Sequence, residues 1–396
     1  MKLLAINAGS SSLKFKLYEM PEENILVYGY IDKIGEKADV KIIMGDNITE
    51  TTENLPNHNK AVDLLINILL QNHIISKLED IEAIGHRIVN GASHYKTEFI
   101  NDNLLSYLTS LIPLSPVHMP GHLAGINAFK ELLPATNQVA IYDTAFHHTI
   151  PKENYLYAIP YEWYQKYGIR KFGFHGISCA YITMEMTKIL KKKPNLIICH
   201  IGNGASVTAV KDGKSLDNSM GFTANEGLIM GTRSGSIDYS ILPYIMQKTS
   251  QSIEEIDEVL NKQSGLLGLA GVSDNRDLEK LINNKDYLAI LANTMYINRI
   301  VEYIAKYYLK LYNIDALVLC GGVGENAIKF RKQLISKLNK LGIYLDEEKN
   351  KNISKFSKTN QGVITTPNSL IPCYIIPTDE ELMLARETYK LLTQKA

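Results

Sequence analysis

Neither sign of charge dominates this chain: Lys and Arg together number 42, and so do Asp and Glu. A zero net charge argues against nucleic-acid and membrane-surface partners, which leave a basic footprint. The four cysteines, Cys179, Cys199, Cys320 and Cys373, are scattered and form no C-x-x-C pair, so neither a zinc site nor a redox motif is expected. Cys199 and Cys320 end apolar runs and read as buried, reduced thiols of a cytoplasmic protein. No apolar run nears membrane-spanning length, and Met1–Ile6 is too short and interrupted for a signal peptide. The chain has no G-x-x-x-x-G-K-[ST] loop, and no G-x-G-x-x-G follows an early strand. Both absences count against a P-loop enzyme and a dinucleotide-dependent dehydrogenase.

Apolar residues make up 45% and charged residues 21% of the 396 residues, enough to build a core and long enough to favour two domains. The opening reads as strand, turn, strand through Asn7-Ala8-Gly9-Ser10-Ser11-Ser12. Further strands are expected at 28–31, 40–44, 81–89 and 138–143, with a helix at 61–70. The opening pattern then recurs at half-chain spacing: Leu196–Ile201 enters Gly202-Asn203-Gly204-Ala205-Ser206, and an alternating strand leaves. A third apolar strand, Ala316–Cys320, runs into Gly321-Gly322-Val323-Gly324-Glu325-Asn326 and then a basic helical segment. Helices are expected at 252–263, 286–311 and 380–395. Two similar α/β halves with glycine-turn hairpins suggest a ligand held in a cleft between them.

Either turn alone reads as an ordinary β-turn. As a pair at corresponding places they read as phosphate-binding loops, where small residues let N–H groups approach an anion. Gly321–Asn326 is suited to a nucleoside or phosphate contact at a helix N-terminus. Arg233 stands in the small-residue turn Gly231-Thr232-Arg233-Ser234-Gly235, which clears space around a rigid, bidentate fork. Arg87 follows His86 at the end of an apolar strand, and Asp143 ends another. His175 lies between glycines and aromatics, and His118 sits in a rigid two-proline loop, where a structural role is as good a reading as a catalytic one. His147-His148 is discounted as a metal site, because adjacent residues seldom form one alone. Glu380 and Glu381 follow an apolar strand and suit either a first-turn helix carboxylate or a Mg²⁺ ligand.

In order along residues 3–388, these motifs, with His86-Arg87, Asp143–His147 and Pro377–Leu382, resemble the acetokinase family. The resemblance implies an α/β fold of two duplicated domains of actin/sugar-kinase/Hsp70 (ribonuclease H-like) type, with nucleotide in the cleft. The domains would be 1–150, completed by a C-terminal helix at about 382–396, and 151–381, which would bind nucleotide and mediate a homodimer. The implied activity is reversible, Mg²⁺-dependent transfer of the ATP γ-phosphoryl to acetate, giving acetyl phosphate and ADP, with Mn²⁺ able to replace Mg²⁺. The alternative is propionate or another short-chain carboxylate as acceptor. By matching position, Asn7 and Glu380 would serve the metal, and Arg87, His118, Asp143, His175 and Arg233 would be catalytic. Asn7, Lys14, His200, Gly202, Asn203, Gly204, Asp274, Asn275, Arg276, Gly322, Val323, Gly324, Glu325 and Asn326 would bind the nucleotide. Val89, Val117, Phe174 and Ala224 would line the acyl pocket beside Arg87.

Asn90, Met119, Cys179, Ser236 and Asp379 depart from the family's usual residues, and none of them is expected to be catalytic. Ala224 and Val117 stand where bulkier Pro and Leu are common. A carboxylate acceptor is already ionised at neutral pH, so the expected chemistry needs charge stabilisation rather than a strong base. Asp143 is therefore expected to orient an Arg or the metal's water shell.

Overall fold

The computed structural model describes residues 1–353 and 362–394. Lys395 and Ala396, the end of the expected C-terminal helix, lie outside the described residues. The chain divides into two compact units, Met1–Ala145 with Asp379–Ala396, and Phe146–Thr378.

The first unit carries strands β1 (Lys2–Ala8), β2 (Ser12–Glu19), β3 (Asn24–Asp32), β4 (Lys37–Met44), β5 (Asn47–Asn54), β6 (Ile81–Ile88), β7 (Glu98–Phe99) and β8 (Asn137–Tyr142). They form one sheet in the order β5-β4-β3-β2-β1-β6-β8-β7. The second unit carries β9 (Leu196–Ile201), β10 (Ala205–Lys211), β11 (Lys214–Asn218), β12 (Ala316–Cys320), β13 (Gly362–Val363) and β14 (Cys373–Ile375), in the order β11-β10-β9-β12-β14-β13.

The two sheets share one frame. In each, three consecutive strands pair antiparallel, and a fourth and fifth run parallel to the first. A short strand that precedes the fifth in sequence pairs antiparallel with it. The half-chain repeat is thus a repeat of topology, the duplicated α/β frame of actin/sugar-kinase/Hsp70 type. The inner parallel strand β12, Ala316-Leu317-Val318-Leu319-Cys320, is apolar and buried throughout, as a strand covered on both faces must be. The outer strand β5, Asn47-Ile48-Thr49-Glu50-Thr51-Thr52-Glu53-Asn54, is almost wholly exposed, and its polar, charged side chains suit a sheet edge.

Each unit has its own core. In the first, Leu4, Ile6, Phe15 and Leu17 pack with Val62, Leu65 and Leu69 of the helix His58–Gln71. In the second, Ile198, Val318 and Cys320 pack with Cys179, Ile182 and Met186 of the helix Gly176–Leu190. All four cysteines are buried and free.

The expected helices are present as Ile253–Lys262, Tyr287–Lys310 and Glu380–Thr393, with Asp286 and Asp379 as side-chain N-caps of the last two. Two local expectations need correction. The loop expected around His118 is the start of a helix, Met119–Leu132, with His118 at its N-cap and Pro120 in its first turn, where a missing N–H costs nothing. The glycine segment after β12 is itself a helical turn, Gly321–Asn326, because the Glu325 carboxylate accepts from Gly321 N at 2.8 Å and draws it closed. Among the described residues, no helix is long and apolar enough to cross a membrane.

Candidate functional site

In the first unit, parallel pairing sets the ends of β1, β6 and β8 side by side: Ile6 lies opposite His86, and Ile88 opposite Tyr142. The residues just beyond therefore meet at the carboxyl edge of the sheet, where α/β folds hold their ligands. Arg87 Nη2 donates to Asp143 Oδ2 at 3.0 Å, and Nη1 to Asn7 Oδ1 at 3.4 Å. Arg87 Nε is buried without a hydrogen-bond partner and lies 4.0 Å from Glu380 Oε2. Burial alone would weaken the guanidinium charge, but Asp143 and Glu380 more than offset it, so the Arg87 pKa is raised. Asp143 is wholly buried, and its backbone N–H is fixed on Ile88 O at 2.8 Å. Its carboxylate is thereby held against the Arg87 guanidinium.

Glu380 reaches this edge because the helix Glu380–Thr393 sits directly on β6. A Cβ on Gly85 would come within 3.1 Å of Leu384 O and collide with Thr388 Oγ1, so only glycine allows the approach. The start of that helix is held by Lys16, whose Nζ lies 2.9 Å from Asp379 Oδ1 and 3.8 Å from Glu381 Oε2. Tyr18 OH donates to Asp379 Oδ1 at 3.3 Å. Burial raises the Glu381 pKa, and Lys16 pulls against it. The Lys16–Asp379 pair was not legible in the sequence, since 363 residues separate its members. Lys14 lies opposite Asn7 in the hairpin and is exposed. Val89 is buried at the end of β6, and Val117 is exposed.

In the second unit, His175 holds a left-handed conformation (φ 58°) at the N-cap of the helix Gly176–Leu190. Its Nδ1 is 2.9 Å from Ser206 Oγ on β10, and its ring lies 4.2 Å from the His200 ring. A Cβ on Gly204 would lie 3.5 Å from His175 Nε2 and 3.8 Å from Arg233 Nη1. Glycine thus leaves a bare backbone facing both side chains. Arg233 Nη1 donates to Ala224 O at 3.2 Å, so its fork is held over the 224–233 loop. Gly231 N donates to Asn203 O at 2.9 Å, and Gly231 has no room for a Cβ against Asn203 Oδ1.

Not every expected residue converges. Asp274 and Arg276 are paired with each other through Oδ1 at 2.9 Å and Oδ2 at 2.6 Å, and Arg276 is largely exposed. The Arg276 hydrogen bonds lower the Asp274 pKa to about 2. The neighbouring Ser273 O nonetheless faces Gly231. A Cβ on Gly202 would lie 3.9 Å from Gly322 N, so the Gly321–Asn326 turn, with Val323 and Gly324, adjoins the second hairpin. Glu325 also accepts from Thr378 N at 3.2 Å, and burial raises its pKa. Asn326 Nδ2 donates to Gly322 O at 2.9 Å, stitching the turn. Phe174 is buried, and its carbonyl accepts from Asn218 Nδ2 at 3.2 Å and lies 2.8 Å from His147 Nε2. His147 is thus a buried structural hydrogen-bonder.

Among the described residues, no three His, Cys, Asp or Glu side chains converge on a metal position. Asn7 and Glu380 offer oxygen donors beside Arg87, a set that fits Mg²⁺, which takes one or two protein oxygens together with phosphate oxygens.

Residues 2–386 match the model of the acetokinase family. The chain is similar to the acetate kinase of Phytoplasma australiense, 47% identical over 395 residues that cover 99% of this chain and 98% of that one. The acetate kinase of Bacillus cytotoxicus is 44% identical over 397 residues, covering 98% of each. Among solved structures, a propionate kinase from Francisella tularensis superposes with a TM-score of 0.92 at 41% identity, covering 98% of both chains. Porphyromonas gingivalis acetate kinase superposes with a TM-score of 0.89 at 38% identity, covering 99% of both.

Proposed function

The chain belongs to the acetokinase family, and on that premise we propose that it is a kinase transferring the γ-phosphoryl of ATP to acetate, reversibly, to give acetyl phosphate and ADP. The observation that carries the reading to the residues is the buried Arg87–Asp143 pair at the carboxyl edge of the first sheet. A guanidinium locked by a buried carboxylate is a pre-organised anion clamp, and a carboxylate acceptor needs one.

An acetate oxygen attacks the γ-phosphorus, the bond to the β,γ-bridging oxygen breaks, and its electrons stay on ADP. No proton is abstracted, since the acceptor is ionised at neutral pH. The protein's work is to hold two anions together and stabilise the charge on the transferring group. Arg87 is assigned to that charge, with Asp143 orienting it and not accepting a proton. Arg233 and His175 face the Gly204 backbone and are assigned to the transferring phosphoryl; His118 is assigned to the same group. The turns at Gly202–Gly204, Asp274–Arg276 and Gly322–Asn326 are assigned to ATP, with His200 and Lys14. Asn7 and Glu380 would hold Mg²⁺, or Mn²⁺ in its place, which supplies charge neutralisation on the phosphate oxygens when bound. Val89, Val117, Phe174 and Ala224 are assigned to the acyl group.

A homodimer is proposed through the second unit. Tyr287, Leu288, Leu291 and Met295 expose an apolar face on one helix, and Ile241 and Tyr244 on another. Such a face on a charge-neutral chain suits a second copy. Sedimentation equilibrium giving a single-chain mass would remove the dimer. A cytoplasmic location is proposed from the free cysteines and the ATP dependence.

The small side chains at Val117 and Ala224 favour a second reading, propionate as the preferred acceptor. Hydroxylamine trapping of the acyl phosphate with ATP, Mg²⁺ and acetate, propionate or butyrate separates the two by kcat/KM. One methylene is worth about 1–3 kcal/mol in such pockets. Product from none of the acids removes the proposal.

A further inference from the structure

Two successive carbonyls of the first turn are each met by a buried histidine. His122 Nδ1 is 2.6 Å from Ala8 O, and His58 Nε2 is 2.9 Å from Gly9 O. A carbonyl only accepts, so the facing ring nitrogen carries the proton in both. His122 is then the Nδ1–H tautomer, and its Nε2 keeps a bare lone pair that is buried without a hydrogen-bond partner. A buried, unmatched acceptor costs free energy that a leucine or phenylalanine here would not. Packing therefore does not explain the histidine, whereas the Ala8 bond does.

The backbone around that bond is built for close approach. A Cβ on Gly121 would collide with the Gly9 carbonyl, and one on Gly125 would lie 2.7 Å from the Ala8 Cβ. The helix Met119–Leu132 is thereby pressed onto the turn through one face, bearing Gly121, His122 and Gly125. Ala8 follows Asn7, whose side chain takes the Arg87 contact. Burial, with Arg87 and His118 adding to it, lowers the His122 pKa to about 3, so the ring stays a neutral donor beside the arginine.

We propose that His122 is a positioning residue for phosphoryl transfer: its Nδ1–H fixes the Ala8 carbonyl and so aims the Asn7 side chain and the N–H groups of the Gly9–Ser12 turn. The proposal rests on the carboxylate-kinase reading. His58 backs it by holding the next carbonyl from the helix His58–Gln71.

The bond makes a geometric demand. The amide nitrogen of Asn lies as many bonds from Cα as Nδ1 of His, and that of Gln lies one bond farther. His122→Asn is expected to keep kcat within about threefold of the wild type, whereas His122→Gln loses about 10- to 100-fold in kcat with both KM values little changed. A filler of space would instead give activities that follow the two melting temperatures. Equal losses in both variants, or no loss in either, overturn the proposal. The tautomer is read without turnover: ¹⁵N spectra of histidine-labelled wild type are expected to show His122 neutral and protonated on Nδ1. An Nε2-protonated or doubly protonated ring overturns the proposal even if both variants misfold. Failure of the wild type to form any acyl phosphate would remove the kinase reading and leave the tautomer result standing.

Discussion

In the first hairpin, the turn from Gly9 to Ser12 closes through Gly9 N and Ser12 O at 2.8 Å and is backed by a helix that leaves no room for a side chain at Gly121. In the second, Gly202 N closes on Gly204 O at 3.0 Å, and the turn faces the side chains of His175 and Arg233 across a bare Gly204. The two sheets repeat one topology, yet one turn is clamped from behind and the other is open in front. A shared frame therefore does not impose a shared role. The first turn presents one fixed amide, Asn7, to an arginine, while the second presents backbone.

Replacing the charges at either edge should have the largest effect. Arg87→Ala and Arg233→Ala are each expected to lower kcat about 10²–10³-fold or more, with the fold intact by circular dichroism. Arg87→Ala should also destabilise the first unit, because it removes the guanidinium paired with a wholly buried carboxylate, whereas Arg233→Ala should not. Near-normal turnover in either variant would take that arginine out of the site.

The glycines at the two turns should separate stability from function. Gly121→Ala is expected to destabilise by about 1–3 kcal/mol, because backbone atoms of Gly9 and Ser10 stand where the methyl must go. Gly204→Ala meets only ordinary contacts at 3.5 and 3.8 Å, so its melting temperature should stay near the wild type's while the KM for ATP rises. Thermal melts paired with kinetics check both, and the reverse pattern would break the contrast.

Acid should loosen the two units in different pH windows, the subtlest expected effect. Burial lowers the pKa values of His86 and His122 from 6.5 to about 3, so the folded first unit keeps both neutral where the unfolded chain would protonate them. Stability is full above pH 6.5 and falls below it, at about 1.4 kcal/mol per pH unit for each histidine until the folded pKa is reached. In the second unit, burial would raise the Asp217 pKa, but Lys171, Lys310 and Lys306 more than offset it and lower the value from 3.8. That contribution is present above pH 3.8 and is lost as the pH falls through the folded pKa. Hydrogen exchange at pH 7 and 5 should show protection lost first in residues 1–145; the opposite order would contradict the account.

Much of this frame was legible beforehand, because it follows from short-range patterns. Apolar runs such as Ala316–Cys320 mark inner strands, and the two Gly/Asn/Ser turns mark the hairpins at half-chain spacing. Arg87 and Asp143 stood out because each ends an apolar strand, and parallel pairing then sets them together. What could not be read depends on contacts distant in sequence. His122 meets Ala8 across 114 residues and His58 meets Gly9 across 49, and only the packing of two helices on the turn creates either bond. The one local signal was a pair of glycines, Gly121 and Gly125, four apart in a helix, which marks a close approach without naming its target. The helical closure of Gly321–Asn326 was hidden for a similar reason: Glu325 reaches back to Gly321 N, where glycine content alone reads as loop.

The central claim is direct phosphoryl exchange between a nucleotide and a carboxylate. Incubating the protein with Mg²⁺, ADP and acetyl phosphate, and following ³¹P resonances, tests it in one measurement. The account predicts loss of the acetyl phosphate signal matched by growth of the three ATP signals, without accumulation of inorganic phosphate. Hydrolysis to phosphate with no ATP formed, or no change in any signal, would contradict it.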